Sequence, residues 1–214
     1  MQPSFQPANL PASVTSFYDY FTGEANVRSV ASAFGYSFVR EYMTLPQSDV
    51  APDWEPALRQ QIIKRLPKIS MGNESARRET LIAPVLLEIV EHMDVYLLIE
   101  QWINVAPQLK GRLDYVVEAK QSLLVVEAKD GNTFNGTTQL VAEMIALDKW
   151  STTGDRLLYG AITTGDLWYF AAMERETKAI TVDVRGYSVP GELDKLVRIL
   201  IGILESEPTN NATI

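Results

Sequence analysis

The chain lacks several features that mark common protein classes. None of its 214 residues is cysteine, which excludes disulfide bridges and thiolate metal sites. No apolar run approaches the roughly 20 residues of a membrane-spanning helix. The first residues carry neither the basic start nor the apolar stretch of a secretory signal. We therefore expect a cytoplasmic protein with no membrane contact.

Positive charge and the common catalytic motifs are also scarce. There are 19 basic and 27 acidic residues, and the net charge of -8 argues against tight, indiscriminate nucleic-acid binding, which depends on Lys and Arg neutralising phosphates. No GxxxxGK[ST], GxGxxG or GxSxG motif occurs, so a nucleotide motor, a dinucleotide enzyme or a common serine hydrolase has no support. His92 is the only histidine and has no companion at metal-ligand spacing, which predicts a helix-end residue without a catalytic role.

The order of apolar patterns predicts an α/β (α+β) domain. Asn73 is a suitable N-cap for a helix that Pro84 should kink. The predicted elements after Asn73 are a helix at 74–93, strands at 95–106, 112–118 and 123–129, a helix at 138–150, three further strands and a helix at 192–205. Gly165-Asp166 reads as a hairpin turn. The central strands are apolar on both faces, which indicates helices on both sides of a mixed sheet.

The domain organisation follows from the same patterns. Residues 1–72 are rich in proline and predict an arm and a helical extension, with a helix at 54–66, packed on the core. Residues 73–206 form the main domain. Residues 207–214 predict a frayed tail.

A predicted hairpin carries the candidate chemistry. If the loop is centred between Lys120 and Gln121, Asp114 faces Glu127 across the two strands, and Lys129 lies on the same face. Buried like charges need a compensating cation. Lys129 supplies one positive charge, and Mg²⁺ or Mn²⁺ would supply the rest, because these ions prefer oxygen ligands. The alternative is a solvent-facing ion cluster, for which these apolar strands leave little room.

These residues carry a resemblance to a known superfamily. Gly111-Arg112-Leu113-Asp114, twelve intervening residues, Glu127-Ala128-Lys129 and then Gln139 resemble the PD-(D/E)XK nuclease superfamily, also called restriction endonuclease-like. Leu113 stands where the motif's name has proline. The segments NESARRETLIAPVLLEIV, LKGRLDYVV, LLVVEAKDGN and LYGAITTGDLWYF are similar to the N-terminal nuclease domain of type I restriction enzyme R subunits and their stand-alone relatives. The resemblance covers about residues 73–173.

The resemblance implies a role for each matching residue. Asp114, Glu127 and the carbonyl group of Ala128 would bind the metal, and Lys129 would position water or stabilise charge on phosphate. Gln139 would face the site and orient Lys129 or the substrate. Glu74 would be the acid of the first helix that contacts metal through water, with Glu79 as its rival.

A second string, Glu118-Ala119-Lys120, copies the motif's E-x-K pattern. It lies at the hairpin turn and its Asp114 is on the same strand, so it predicts a surface turn rather than a second site.

The resemblance implies a Mg²⁺-dependent endonuclease that hydrolyses phosphodiester bonds of DNA. The alternative is a non-catalytic restriction endonuclease-like module that binds within a larger nucleic-acid-processing complex. Local cations near the site are Arg77, Arg78, Lys110 and Arg112. Because they are few, we expect weak, salt-sensitive DNA binding and a protein partner that supplies specificity.

Overall fold

The computed structural model describes residues 10, 14–23, 25–120, 122–129, 133–151 and 156–205, without the side chains of Leu123 and of residues 133–135. The strands are β1 (Ser37–Glu41), β2 (Tyr96–Ala106), β3 (Leu109–Ala119), β4 (Ser122–Ala128), β5 (Leu157–Thr163), β6 (Leu167–Glu174) and β7 (Ala179–Ser188). They form one mixed sheet in the order β1-β7-β6-β5-β4-β3-β2. The β1–β7 and β4–β5 pairs are parallel and the other pairs are antiparallel.

Helices cover both faces of this sheet. They are α1 (Phe17–Thr22), α2 (Val27–Ala33), α3 (Glu55–Arg65), α4 (Glu74–Arg77), α5 (Ala83–His92), α6 (Thr133–Trp150) and α7 (Leu193–Glu205), with a 3₁₀ turn at Leu66–Lys68 and a π-helical turn at Arg78–Ile82. No helix in the described part of the chain is both long and apolar enough to cross a membrane. The predicted mixed α/β architecture is confirmed at this level.

Two apolar clusters fill the space between the sheet and its helices. One cluster contains side chains of α3, α5 and α7, and the other contains side chains of α1, α2 and α6. Successive side chains of β4 pack into different clusters: Leu124 and Val126 belong to the first cluster and Val125 to the second. Side chains alternate across a strand, so a strand buried on both faces is apolar throughout. The expectation from the sequence is confirmed here.

The hairpin of β3 and β4 has the predicted register. Val116 pairs with Val125, and Ala119 pairs with Ser122, so two residues connect the strands. The continuation of this register sets Asp114 against Glu127. The predicted turn at Gly165-Asp166 is also confirmed: the Thr164 amide donates to the Leu167 carbonyl group, and Gly165 has a φ of 85°, which suits glycine.

The helix that begins after Asn73 differs from the prediction in its centre. The Asn73 side chain caps it by accepting a hydrogen bond from the Ala76 amide at 2.8 Å, as predicted. Instead of a simple kink, a π-helical turn joins α4 to α5. Pro84 lies in the first turn of α5 and has no N–H group for the carbonyl of Thr80, so the wider turn accommodates the missing hydrogen bond.

Two further elements depart from the prediction. Helix α6 begins at Thr133, not at Thr138, so part of the polar stretch after Lys129 is helical. Strand β1 was not predicted; it pairs in parallel with β7 at the edge of the sheet. Residues 1–72 therefore supply a strand as well as helices. The predicted frayed tail at 207–214 lies outside the described residues.

Candidate active site

The β3–β4 hairpin, α4, α6 and α1 together enclose a cavity of about 390 Å³. Five of the six residues expected to bind metal or take part in catalysis line it: Glu74, Asp114, Glu127, Lys129 and Gln139. Glu79 is exposed on the π-helical turn and does not line the cavity. The fold thus brings the predicted residues together and places Glu74, not Glu79, beside them.

Asp114 lies in the middle of β3 and Glu127 near the end of β4, one step beyond the Tyr115–Val126 pair. The Ala128 amide donates a hydrogen bond to Oδ2 of Asp114 at 2.8 Å, which ties the aspartate to β4. Arg78 approaches Oδ1 of Asp114 at 3.5 Å. Ala128 does not itself line the cavity, and metal ligation by its carbonyl group stays a prediction.

Lys129 and Glu127 form a buried ion pair. Nζ of Lys129 donates to Oε1 of Glu127, and both side chains are almost fully buried. Burial alone would lower the pKa of Lys129, but the adjacent Glu127 carboxylate raises it overall. The centre of the Phe21 ring of α1 lies 4.8 Å from Nζ, within the distance of a cation–π interaction. Lys129 is therefore held as a cation.

Gln139 links the hairpin to a carboxyl group that the sequence reading missed. Its Nε2 donates to Oε1 of Glu127 at 2.6 Å and to Oε1 of Glu143 at 2.8 Å. Glu143 lies one turn further along α6 and is fully buried. Its signal in the sequence is a single acid inside the apolar run LVAEMIAL, four residues after Gln139.

The carboxyl groups of Glu127 and Glu143 are hard to ionise in this setting. Burial, then the charges of Glu143 and Asp114, raises the pKa of Glu127 well above its usual range. Burial raises the pKa of Glu143 to about 8. Oε2 of Glu127, Oε2 of Glu143 and Oε1 of Gln139 are buried without a hydrogen-bond partner. Ionisation of both Glu127 and Glu143 would therefore place more negative charge in the site than Lys129 neutralises.

A second group of charges is linked to Asp114 through Arg78, and its member Arg112 lines the cavity. Glu100, in the left-handed region with a φ of 51°, accepts from Arg78 at 3.1 Å and from Arg112 at 2.8 Å. The two arginines lower the pKa of Glu100. Arg77, expected near the site, instead binds Asp166 and the Thr164 carbonyl group at the β5–β6 turn.

The other candidates from the sequence lie away from the cavity. Glu118 and Lys120 are exposed at the opposite end of the hairpin. The His92 ring hydrogen-bonds to the Glu88 carbonyl group at 2.9 Å and packs on Trp54, with ring centres 5.4 Å apart. The helix-end position of His92 and the surface turn at Glu118-Ala119-Lys120 are as predicted.

Neither a comparison with models of known protein families nor a comparison with curated proteins found a match to this chain.

Proposed function

We propose that the protein is a Mg²⁺- or Mn²⁺-dependent endonuclease with a restriction endonuclease-like, PD-(D/E)XK core, and that it hydrolyses phosphodiester bonds of DNA. One observation carries the proposal: Asp114, Glu127 and Lys129 converge on a single cavity, with Gln139 hydrogen-bonded to Glu127. Two carboxylates and a cation around a concave site suit the charge that develops on a phosphate during hydrolysis.

The residues present fit a hard divalent cation. In the described part of the chain, no three Asp, Glu or His side chains converge closely enough to hold a metal. Mg²⁺ needs fewer, because it usually binds one or two carboxylates and keeps several waters. Asp114 and Glu127 supply two carboxylates, and Oε2 of Glu127 is a buried oxygen without a hydrogen-bond partner. Asp114, Glu127 and the carbonyl group of Ala128 would hold the ion.

When bound, the ion would polarise the scissile phosphate and activate a water molecule. Lys129 supplies positive charge: its raised pKa keeps it protonated near neutral pH, which suits stabilisation of a developing anion better than abstraction of a proton. Gln139 fixes Oε1 of Glu127 from α6 and thereby orients that carboxylate. Glu74 lines the wall of the cavity, where a water-mediated contact with the ion is available to it.

The string VVEAK occurs at 116–120 and again at 125–129, so the first copy provides a matched control for the cleavage experiment. Plasmid and single-stranded DNA are incubated with Mn²⁺ at low salt, with wild type, Lys129→Ala and Lys120→Ala. We expect metal-dependent cutting by wild type and Lys120→Ala, and a loss of about 100-fold or more in Lys129→Ala, in line with the loss of one group that stabilises transition-state charge. Glu127→Gln and Glu118→Gln form a second matched pair.

Equal cutting by wild type and Lys129→Ala would point to a contaminating nuclease. Circular dichroism must show that Lys129→Ala is folded, because this change leaves buried carboxylates without their cation. Absence of cutting under every metal and salt condition, together with absence of DNA binding, would favour the alternative.

The alternative is a non-catalytic module of the same fold that serves as a binding or structural subunit. A specific observation favours it: both carboxylates are already engaged, Glu127 by Lys129 and Asp114 by Arg78. In either case the net charge of -8 and the few cations near the cavity imply weak, salt-sensitive DNA binding. We therefore include in the proposal a cytoplasmic protein partner that adds binding surface or specificity.

A further inference from the structure

The entrance of the cavity is aromatic. Tyr18 of α1 and Trp102 of β2 both line it, and 63% of Tyr18 and 56% of Trp102 are exposed. Large apolar side chains are normally buried, so two exposed aromatics at the mouth of one cavity need a reason. A single exposed aromatic side chain elsewhere on a protein surface needs no such explanation.

Trp102 has a cationic neighbour. It pairs directly with Arg112 in the β2–β3 register, so the two side chains are cross-strand neighbours with Cβ atoms about 5 Å apart. Arg112 also lines the cavity, and 66% of its side chain is exposed. An aromatic face beside a guanidinium group matches the two parts of a nucleotide, its base and its phosphate.

The cations around the cavity are already paired within the protein. Glu100 forms ion pairs with Arg78 and Arg112, and Glu127 forms an ion pair with Lys129. A phosphate must therefore compete with carboxylates in a chain whose net charge is -8. Base stacking on an aromatic ring needs no unpaired charge. Tyr18 and Trp102 can therefore bind a nucleotide through its base where the paired cations bind its phosphate weakly.

We propose that Trp102 and Tyr18 stack the bases of a single-stranded nucleic acid, one of whose phosphates enters the cavity. This inference rests on the proposed function and names its substrate class. In a duplex each base is already stacked on its neighbours, whereas an unpaired strand or a frayed end has free base faces. The cavity of about 390 Å³ has the size of a small-ligand pocket, which suits one splayed nucleotide better than a duplex.

The test is binding without cleavage. Fluorescence anisotropy of a labelled oligothymidylate, and of its duplex with oligoadenylate, is followed in EDTA at low salt. We expect wild type to prefer the single strand, and Trp102→Ala to weaken that binding by about 5- to 150-fold, the range for loss of one base-stacking aromatic. Tyr18→Ala should weaken it too, and Trp102→Phe should retain most of it.

Trp150→Ala is the matched control. Trp150 is 47% exposed at the end of α6 and does not line the cavity, so its loss should leave binding unchanged. Equal affinity for the duplex and the single strand, or equal binding by wild type and Trp102→Ala, would overturn the inference. So would a loss of self-association in Trp102→Ala with unchanged oligonucleotide binding, since β2 would then serve a protein contact.

Cleavage assays of the same variants separate this inference from the proposed function. Metal-dependent cutting of single-stranded DNA that is equal in wild type and Trp102→Ala would support the nuclease and contradict base stacking by Trp102. Single-strand binding that depends on Trp102, without cutting under any metal condition, would retain base stacking and remove the nuclease.

Discussion

Asp114 is held between opposing charges. Arg78 lies 3.5 Å from its Oδ1, while Glu127 belongs to the same buried group of acids. Asparagine keeps an oxygen acceptor for the Ala128 amide but removes the charge. In the metal-free protein this change therefore removes a repulsion with Glu127 along with an attraction to Arg78.

We predict that Asp114→Asn abolishes Mn²⁺ uptake in isothermal titration and that its melting temperature in EDTA is no lower than that of wild type. The reason is that close acids destabilise a site when no cation offsets them. Mn²⁺ uptake equal to that of wild type would show that the metal binds at other residues. A marked destabilisation in EDTA would make Asp114 a structural ion-pair residue.

Glu143 is a buried residue whose charge opposes folding. Its ordinary pKa is 4.5 and burial raises the pKa in the folded protein to about 8. Below pH 4.5 the carboxyl group is protonated in both states. Between the two pKa values only the unfolded state releases the proton, so stability falls as the pH rises, and above about pH 8 the loss is complete.

We predict that Glu143→Gln stabilises the metal-free protein at pH 8 by an amount on the order of a few kcal/mol and has little effect near pH 4.5, because an amide carries no charge to desolvate. Urea midpoints in EDTA at several pH values measure this. Glu79→Gln, at an exposed position, is the control. If the stability of wild type and of Glu143→Gln changed with pH by the same amount, the prediction would be contradicted. Some pH dependence is expected in both proteins, because the pKa of Glu127 is also raised.

At the scale of elements, α6 lies close against the end of β4 and against β5. A Cβ atom added at Gly136 would lie 2.2 Å from Cδ1 of Ile162 and 3.0 Å from Cγ of Lys129. Glycine therefore allows the approach that brings Gln139 to Glu127. The same helix holds Glu143 one turn later.

We predict that Gly136→Val destabilises the protein by about 1–3 kcal/mol through overpacking, and that it weakens Mn²⁺ uptake by displacing Gln139. Removing a glycine from a helix otherwise gains up to about 1 kcal/mol, so a net loss shows that packing dominates. Gly72→Val is the control, since the nearest atom to its added Cβ, Ser70 Oγ, is 3.7 Å away. Unchanged urea stability of Gly136→Val would show that α6 can shift without cost.

At the scale of the whole molecule, residues before Asn73 contribute to both apolar clusters. Phe17, Tyr20 and Val30 are buried against α6, and Leu58 and Ile62 are buried on the other face of the sheet. Strand β1 also covers the edge of β7. The main domain is therefore completed by the first part of the chain.

We predict that a fragment of residues 73–214 does not fold stably. Each lost side chain is worth roughly 1.5–3 kcal/mol of burial, so five of them rival the whole stability of about 5–15 kcal/mol of a typical domain. A cooperative thermal transition with dispersed amide resonances in the fragment would contradict this. Removal of only 207–214 is the control and should leave the melting temperature unchanged.

The sequence by itself determined the central hairpin and the residues that meet on it. Apolar runs of strand length around a short turn specify pairing between neighbours in the chain, and period-two alternation assigns each side chain to a face. The register of Val116 with Val125 and the approach of Lys129 to Glu127 follow from these local rules. The order of helices and strands after Asn73 was predictable for the same reason.

Only the tertiary structure decided what lies around that hairpin. Strand β1 has five residues and a parallel partner far along the chain, so no adjacent hairpin turn indicates it in the sequence. Phe21 reaches Lys129 because α1 packs on α6. Glu143 is linked to Glu127 through Gln139 because α6 packs against β4. Contacts between distant segments depend on how amphipathic faces cover one another, which short-range patterns do not encode.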